Sequence, residues 1–165
     1  MDTPVTLHQW VSLMHELVAA PIVPPMGEVA LAKVRELEAE LFKLPQVAVR
    51  MHHVLHGGMY ARTAYVPKGA IMGCCLVRVP TIIVLAGEAD IYIGQDEPLR
   101  LKGYCVVPAS AGRKQVYIAL TDFALTMFYA TTATTVEQAE NETTAEADML
   151  ASRRDGLNTV IITGE

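Results

Sequence analysis

Short apolar segments, each followed by turn residues, occupy the chain from about residue 47 to residue 130. The breaks between them contain glycine, proline or aspartate, as in HGG, PKG, GQDEP and PASAG. Short strands at roughly ten-residue spacing, without helices between them, indicate an antiparallel sandwich or barrel. The predicted strands are Tyr60–Val66, Ala70–Val77, Thr81–Leu85, Ala89–Ile93, Tyr104–Val107, Gln115–Ala119 and Phe123–Ala130.

Two helices are predicted before this β region. Apolar residues recur at three- and four-residue spacing from Leu7 to Val18. The segment APIVPPMGE separates this helix from the next, because its three prolines cannot lie inside one helix. A second amphipathic pattern runs from Val29 to Phe42 and stops at Leu44-Pro45.

An acidic helix is predicted after the strands. Thr135 is its expected N-cap, and Arg153-Arg154 lie near its end, so that acids come early and bases late, as the helix dipole favours. The last segment, NTVIITGE, is predicted as one more strand. The chain therefore divides into an N-terminal helical extension (1–45), a β-barrel (46–132) and an acidic helix with a terminal strand (133–165).

The composition favours an oligomer and argues against two classes of partner. The chain is 52% hydrophobic with a mean hydropathy of +0.29, which suggests that apolar surface is covered by other copies of the chain. A net charge of −5 argues against nucleic-acid binding, and the basic pairs Arg113-Lys114 and Arg153-Arg154 are interpreted as solvated surface charge. No membrane segment is expected, because the most apolar stretch, from Ala70 to Ala86, contains Arg78 and Pro80.

The cellular location is predicted from the N-terminus and the cysteines. The start, MDTPVTLHQW, lacks the basic region of a signal peptide. Three cysteines, two of them adjacent at Cys74-Cys75, form no disulfide framework. A reducing cytoplasm is therefore expected.

Several segments, taken in order, resemble a group of small cupin-like proteins of bacteriophages and prophages. These segments are LEAELFKLPQV, HHVLHGGMYARTAYVPKG, VLAGEADI and YCVVPASAGRKQVYIALTDFALTMFYATTATTVEQAE. The resemblance implies a mainly β, cupin-like double-stranded β-helix barrel whose mouth holds a ligand. It also implies the host cytoplasm or the virion as location, and other phage proteins as partners.

The metal-ligand pattern of cupins is absent at the matching positions. That pattern places three histidines and one glutamate around a single ion. Here Cys75 and Val77 stand at the first two histidine places, Thr81 at the glutamate place and Gln115 at the third histidine place. Valine cannot bind a metal, and threonine and glutamine are poor ligands. We therefore expect neither a metal nor another cofactor.

A second arrangement would restore a metal. The segment MHHVLHGG places His52, His53 and His56 within five residues, with Cys74 and Cys75 as further ligands. On a strand, however, His52 and His53 point in opposite directions. The competing interpretation is one buried, hydrogen-bonded histidine and two histidines at the barrel rim.

The candidate ligand-binding residues are His52, His56, Tyr60, Arg62, Cys75 and Gln115. If the face that carries Tyr60 and Arg62 points inward, Arg62 would bind a carboxylate or a phosphate. The alternative is an outward arginine in a contact between subunits. Cys75 would act as a nucleophile only with a depressed pKa, and the Cys74-Cys75 pair is interpreted as small buried hydrophobic residues.

The function predicted from the sequence is a non-enzymatic, metal-free binding or assembly module of phage origin. It would form a homo-oligomer, and it would bind a small anionic molecule or serve as a virion or accessory protein. The alternative is an atypical metal-dependent enzyme, of oxygenase or isomerase type, built on His52, His53 and His56.

Overall fold

A computed structural model describes residues 22–154 and 157–164 of the chain. The first predicted helix, from Leu7 to Val18, lies outside the described residues. The helices are α1 (Glu28–Leu41), α2 (Val136–Thr143) and α3 (Ala151–Arg154), with a 3-10 turn at Ala147–Met149. The strands are β1 (Arg50–His56), β2 (Met59–Val66), β3 (Ile71–Gly73), β4 (Thr81–Tyr92), β5 (Leu99–Ala109), β6 (Val116–Ala119), β7 (Phe123–Ala130) and β8 (Asn158–Ile162).

The strands form one curled sheet that is organised around the long strand β4. The order is β3-β6-β4-β7-β2-β1-β8, and β5 pairs with β4 outside this path. The first half of β4 pairs with β7, the second half pairs with β6, and β5 follows almost the whole strand. Every pairing between strands is antiparallel except that of β8 with β1. Because β4 changes partners at its middle, the sheet turns back on itself and encloses a core.

Alternation of side chains sets which residues enter that core. Along β4, Ile83 and Leu85 are buried, whereas Ile82 and Ala86 are exposed. Valine, isoleucine and tyrosine are frequent in these strands, and they suit a pleated surface with one buried face. The main core contains Val23, Met51, Ala64, Val66, Ile83, Leu85, Ala89, Ile91, Ile93, Leu101, Val107, Ala109, Tyr117, Ala119, Phe123 and Leu125.

Gly87 is the residue at which β4 changes partners. Its φ is +132°, a conformation that L side chains rarely adopt. A Cβ atom added there would lie 2.6 Å from Phe123 Cβ and 2.7 Å from the carbonyl oxygen of Asp122. Only glycine therefore lets the start of β7 approach β4 at this point.

Helix α1 packs on the outside of the barrel through a small apolar contact and an ionic one. Met26, Ala30 and Val34 form a cluster with Val116. Lys114 is 2% exposed, and its Nζ lies 3.1 Å from Glu38 of α1 and 2.8 Å from Glu146. Burial lowers the pKa of Lys114, but its hydrogen bonds to Glu146 and Glu38 raise it more, so the net shift is upward.

The C-terminal segment is fixed by hydrogen bonds and ion pairs. Thr135 caps α2 by accepting a hydrogen bond from the backbone N–H of Gln138 at 3.2 Å. The carboxylate of Glu140 is buried and accepts a hydrogen bond from Arg153 Nε at 2.9 Å and another from the Ser152 hydroxyl. These bonds join α3 to α2 and hold the segment from residue 149 to residue 154 over the sheet.

The mainly β fold class with a helix before the sheet and an acidic helix after it is confirmed. The acidic helix is shorter than predicted, because Thr144 leaves the helical conformation and α2 ends at Thr143. Predicted strands Thr81–Leu85 and Ala89–Ile93 are one continuous strand, because Gly87 bends β4 without ending it. No helix within residues 22–154 and 157–164 has the length and apolar character that crossing a membrane requires.

One further strand prediction was wrong, and one strand was not predicted. The strand predicted over Ala70–Val77 is only the three-residue strand β3 in the structure, because only residues 71–73 pair with a neighbouring strand, β6. Strand β1 (Arg50–His56) was not predicted, because its histidines and arginine hide the alternation of its buried residues.

Replacement of Gly87 by alanine tests the bend. We expect G87A to lower the free energy of unfolding by about 3 kcal/mol, from backbone strain and from the clash with Phe123. Gly103 is the matched control, because it pairs with Gly87, has a φ of +81° and has no atom within 4 Å of an added Cβ. G103A should cost only about 1 kcal/mol. Equal losses for the two variants in urea-induced unfolding would contradict this account of the bend.

Candidate ligand-binding site

A cavity of about 380 Å³ lies between the inner face of the sheet and the segments that cover it. The cover consists of the end of α1, the segment from residue 44 to residue 49 and the segment from residue 149 to residue 151, with Arg154. Much of the wall is apolar. The apolar side chains from the sheet and from the loop after β3 are Met51, Ala64, Val66, Ile71, Met72, Val77, Ile83, Leu125 and Met127. A cavity of this size accommodates a small organic molecule.

Arg113 forms the polar end of the cavity. It is 1% exposed, and its guanidinium donates to Thr81 Oγ1 at 2.6 Å, to the Ser110 carbonyl at 2.5 Å and to Gln115 Oε1 at 3.1 Å. All these acceptors are neutral, and no described carboxylate lies within 4.0 Å of it. Burial lowers the pKa of the guanidinium, but an arginine keeps its charge in a protein. The cavity wall therefore contains a positive charge without an anionic partner among the described residues.

Gln115 presents an unused hydrogen-bond donor beside this charge. Its Oε1 accepts from Arg113 Nε at 3.1 Å and from the Tyr117 hydroxyl at 3.2 Å. Because arginine only donates, the amide oxygen must face Arg113, and the amide nitrogen must point elsewhere. Gln115 is 3% exposed, and its Nε2 has no partner within the described residues. A buried donor in this state requires an acceptor.

Arg62 supplies the second unused donor. Its Nε is buried and makes no hydrogen bond within the described part of the chain. The nearest carboxylate oxygen, Glu140 Oε1, lies 3.9 Å away, and Arg62 Nη2 lies 3.5 Å from Ser152 Oγ. Glu140 makes its short contacts with Arg153 and Ser152 instead. The positive charge of Arg62 is therefore only partly compensated.

The thiols of Cys74 and Cys75 also line the cavity. Burial raises the pKa of Cys74 to about 12, although Arg62 and Arg113 act in the opposite direction. Burial likewise raises the pKa of Cys75, against the opposing effects of Arg62 and of a hydrogen bond with Thr144. Both cysteines are therefore protonated thiols near neutral pH.

The resemblance assigns four positions to metal ligands: Cys75, Val77, Thr81 and Gln115. Thr81 and Gln115 bind the Arg113 guanidinium directly, and Cys75, Val77 and Gln115 line the cavity. Within residues 22–154 and 157–164, no three side chains of the His, Cys, Asp or Glu type converge as metal ligands. Two of these four positions, Thr81 and Gln115, thus accept hydrogen bonds from the Arg113 guanidinium.

The three histidines of β1 are divided between the two faces of the sheet. His53 is fully buried on the inner face, with Nδ1 2.8 Å from the Tyr60 hydroxyl and Nε2 3.3 Å from Asn158 Oδ1. Burial lowers the pKa of His53. His52 and His56 lie on the opposite face, where His56 Nδ1 is 2.7 Å from Thr163 Oγ1. The strand geometry therefore does not bring the three imidazoles together.

The candidate residues from the sequence fall into two sets. Arg62, Cys75 and Gln115 line the cavity, whereas His52, His56 and Tyr60 do not. Tyr60 packs against Tyr129 in a separate core cluster, and burial raises its pKa well above its usual value.

The interpretation of Arg113-Lys114 as surface charge was wrong, since the two residues are 1% and 2% exposed. The residue of this site that the sequence analysis missed is Arg113. The alternation of Arg113, Gln115 and Tyr117 at the start of an apolar strand was the available signal.

No family model and no curated protein matches this chain. Among solved structures, it is similar to an RmlC-like cupin family protein with a double-stranded β-helix fold from Methanocaldococcus jannaschii, at 13% identity and a TM-score of 0.43, over 53% of this chain and 85% of that one. It is also similar to KdgF from a Halomonas species, at 17% identity and a TM-score of 0.44, over 53% and 84% of the two chains.

A cupin superfamily protein from Desulfitobacterium hafniense aligns at 16% identity and a TM-score of 0.44, over 56% of this chain and 86% of its own. At these identities the likeness concerns the fold alone. The phage-associated part of the resemblance stays a prediction.

Proposed function

We propose that this protein is a non-enzymatic binding module that holds a small molecule in the barrel cavity. The observation that carries the proposal is the Nε2 of Gln115, a buried donor that has no hydrogen-bond partner in the described part of the chain and belongs to the wall of a largely apolar cavity of about 380 Å³. A ligand with an apolar body and a hydrogen-bond acceptor would satisfy both parts of this wall.

The chemistry of the cavity supports binding rather than catalysis. A nucleophilic cysteine needs a depressed pKa, and the pKa values of Cys74 and Cys75 are both raised by burial. The metal-dependent alternative draws no support from the geometry, because His53 lies on the face opposite to His52 and His56. Phage origin, and location in the host cytoplasm or the virion, remain predictions from the sequence.

Filling the cavity tests the proposal. Ala64 lies on the inner face of β2 and lines the cavity, so we expect A64F to occupy the space of a ligand. Native mass spectrometry of protein purified from producing cells should show a small molecule on the natural chain and none on A64F. The matched control is A32F, because Ala32 is exposed on α1 and does not line the cavity. A thermal unfolding curve establishes that each variant is folded. The same bound molecule on folded A64F would place the binding site elsewhere.

The two cavity thiols provide a test by pH. At pH 8 we expect iodoacetamide to modify Cys74 at least about tenfold more slowly in the folded protein than in urea, because little of this thiol is thiolate at that pH. Cys75 should also react more slowly in the folded protein than in urea, and Cys105 is followed in the same samples as a reference. Since the pKa of Cys74 is about 12, its rate should rise about tenfold per pH unit between pH 8 and pH 10. Peptide mass spectrometry gives the three rates. In urea the three rates should become similar. A Cys75 that reacts fast and reaches its plateau below pH 7 would revive a nucleophilic role.

A second candidate function, assembly of copies of this chain, is supported by the outer face of the sheet. Six apolar residues from six neighbouring strands stand side by side there, and we call them the outer apolar row: Pro108, Ile82, Phe128, Ala61, Val54 and Ile161. Ile82 is 50% exposed. The next row contains only uncharged residues and His52. A second copy is the proposed occupant, because apolar rows from two copies would bury each other in a symmetric contact.

A charge placed in the outer apolar row tests this assembly. We expect the natural chain to form a dimer or larger oligomer at micromolar concentration. The substitution I82E should raise the dissociation constant of this oligomer at least tenfold and so favour the monomer. The control is I118E, because Ile118 is a similarly exposed isoleucine (45%) on β6, outside the outer apolar row. Size-exclusion chromatography with light scattering measures both. A monomeric natural chain, or equal behaviour of the two variants, would contradict assembly through this face.

A further inference from the structure

The charged groups of the cavity wall favour an anionic ligand. Among the described residues that line it, the charged ones are Glu38, Arg62, Arg113 and Arg154. Glu38 is engaged by Lys114 at 3.1 Å, so its charge is already compensated. Among the residues that the structure describes, Arg113 has no carboxylate partner, and Arg62 has only the contact of 3.9 Å with Glu140. The wall thus has an excess of positive charge.

The unused hydrogen-bonding groups of the cavity wall are both donors. Gln115 Nε2 and Arg62 Nε are both buried donors without a hydrogen-bond partner within the described residues, and the closest carboxylate oxygen to Arg62 Nε is Glu140 Oε1, at 3.9 Å. The remaining buried nitrogen without a partner, His52 Nε2, belongs to the other face of the sheet. Two donors without acceptors in one cavity call for oxygen atoms of a ligand.

The two arginines belong to the wall of one cavity. Arg62, Arg113 and Gln115 all line it, together with the thiols of Cys74 and Cys75. The wall divides into these polar groups and apolar side chains, among them Leu41, Val47 and Met149 from the segments that cover the cavity. A ligand that fits this division has one anionic end and an apolar body.

We propose that the cavity binds a hydrophobic monocarboxylic acid, with the carboxylate toward Gln115, Arg62 and Arg113 and the apolar chain against the apolar side chains of the wall. This inference rests on the proposed binding function and specifies its ligand class. Two carboxylate oxygens match the two unused donors. A phosphate would carry more charge and more oxygen atoms than these donors serve, and the one buried lysine near α1, Lys114, is already held by Glu38 and Glu146.

A comparison of matched probes tests the ligand class on the natural chain. Decanoate, decanamide and inorganic phosphate would be titrated into the protein at pH 7 by calorimetry. We expect decanoate to bind about 10- to 100-fold more tightly than decanamide, because hydrogen bonds to a charged group are stronger than those to a neutral one. Phosphate should not bind measurably. Equal affinities for decanoate and decanamide would overturn the carboxylate inference and leave the binding function standing. If neither decanoate nor decanamide binds, both the carboxylate inference and the proposed binding function are contradicted.

The variant Q115E tests the site itself. Glutamate keeps the size of the side chain and an oxygen for Arg113 and Tyr117, but it removes the free donor and brings a negative charge toward the ligand. We expect Q115E to weaken decanoate binding at least about tenfold and decanamide binding much less. The matched control is Q138E, which adds the same charge on α2, at an exposed residue outside the cavity. Unchanged decanoate affinity in folded Q115E would overturn the inference. If Q115E does not fold, the probe comparison on the natural chain decides.

Discussion

The burial of one arginine, Arg113, is the constraint on which the interior of this barrel depends. An unpaired charge is costly inside a protein, and neutral hydrogen-bond acceptors offset that cost only in part. The backbone carbonyl of Ser110 and the side chains of Thr81 and Gln115 supply those acceptors from three separate points of the chain. The guanidinium therefore holds the start of β4, the end of β5 and the start of β6 together. It also gives the cavity its polarity.

The neighbouring Lys114 shows how the alternation of side-chain direction gives two adjacent basic residues different surroundings. Side chains of successive residues in an extended segment point in opposite directions, so Arg113 faces the interior and Lys114 faces the helices. Lys114 lies between Glu38 of α1 and Glu146 after α2, and its charge is compensated twice. Two adjacent basic residues thus perform opposite functions. One is paired and structural, and the other has no anionic partner among the described residues.

The sequence predicted the class of fold better than the site. Turn residues and short apolar runs indicated the strands, because those signals are local. The continuity of β4 through Gly87 was not predicted, since a glycine inside a strand is compatible with both a turn and a bend. Arg62, Cys75 and Gln115 were placed among the candidates, and they line the cavity. Arg113 was missed because burial of an arginine depends on acceptors that are distant in sequence, such as Thr81.

The cover over the cavity determines how a bound molecule would leave. Residues 149 to 151 and Arg154 close one side of the cavity, and the contacts of Glu140 with Arg153 and Ser152 hold that segment in place. The sheet itself is fixed by long antiparallel ladders. Local release of these few bonds therefore costs less free energy than opening the sheet. The residence time of an occupant would then be set by local unfolding of the chain near its end, and the barrel wall would stay closed throughout.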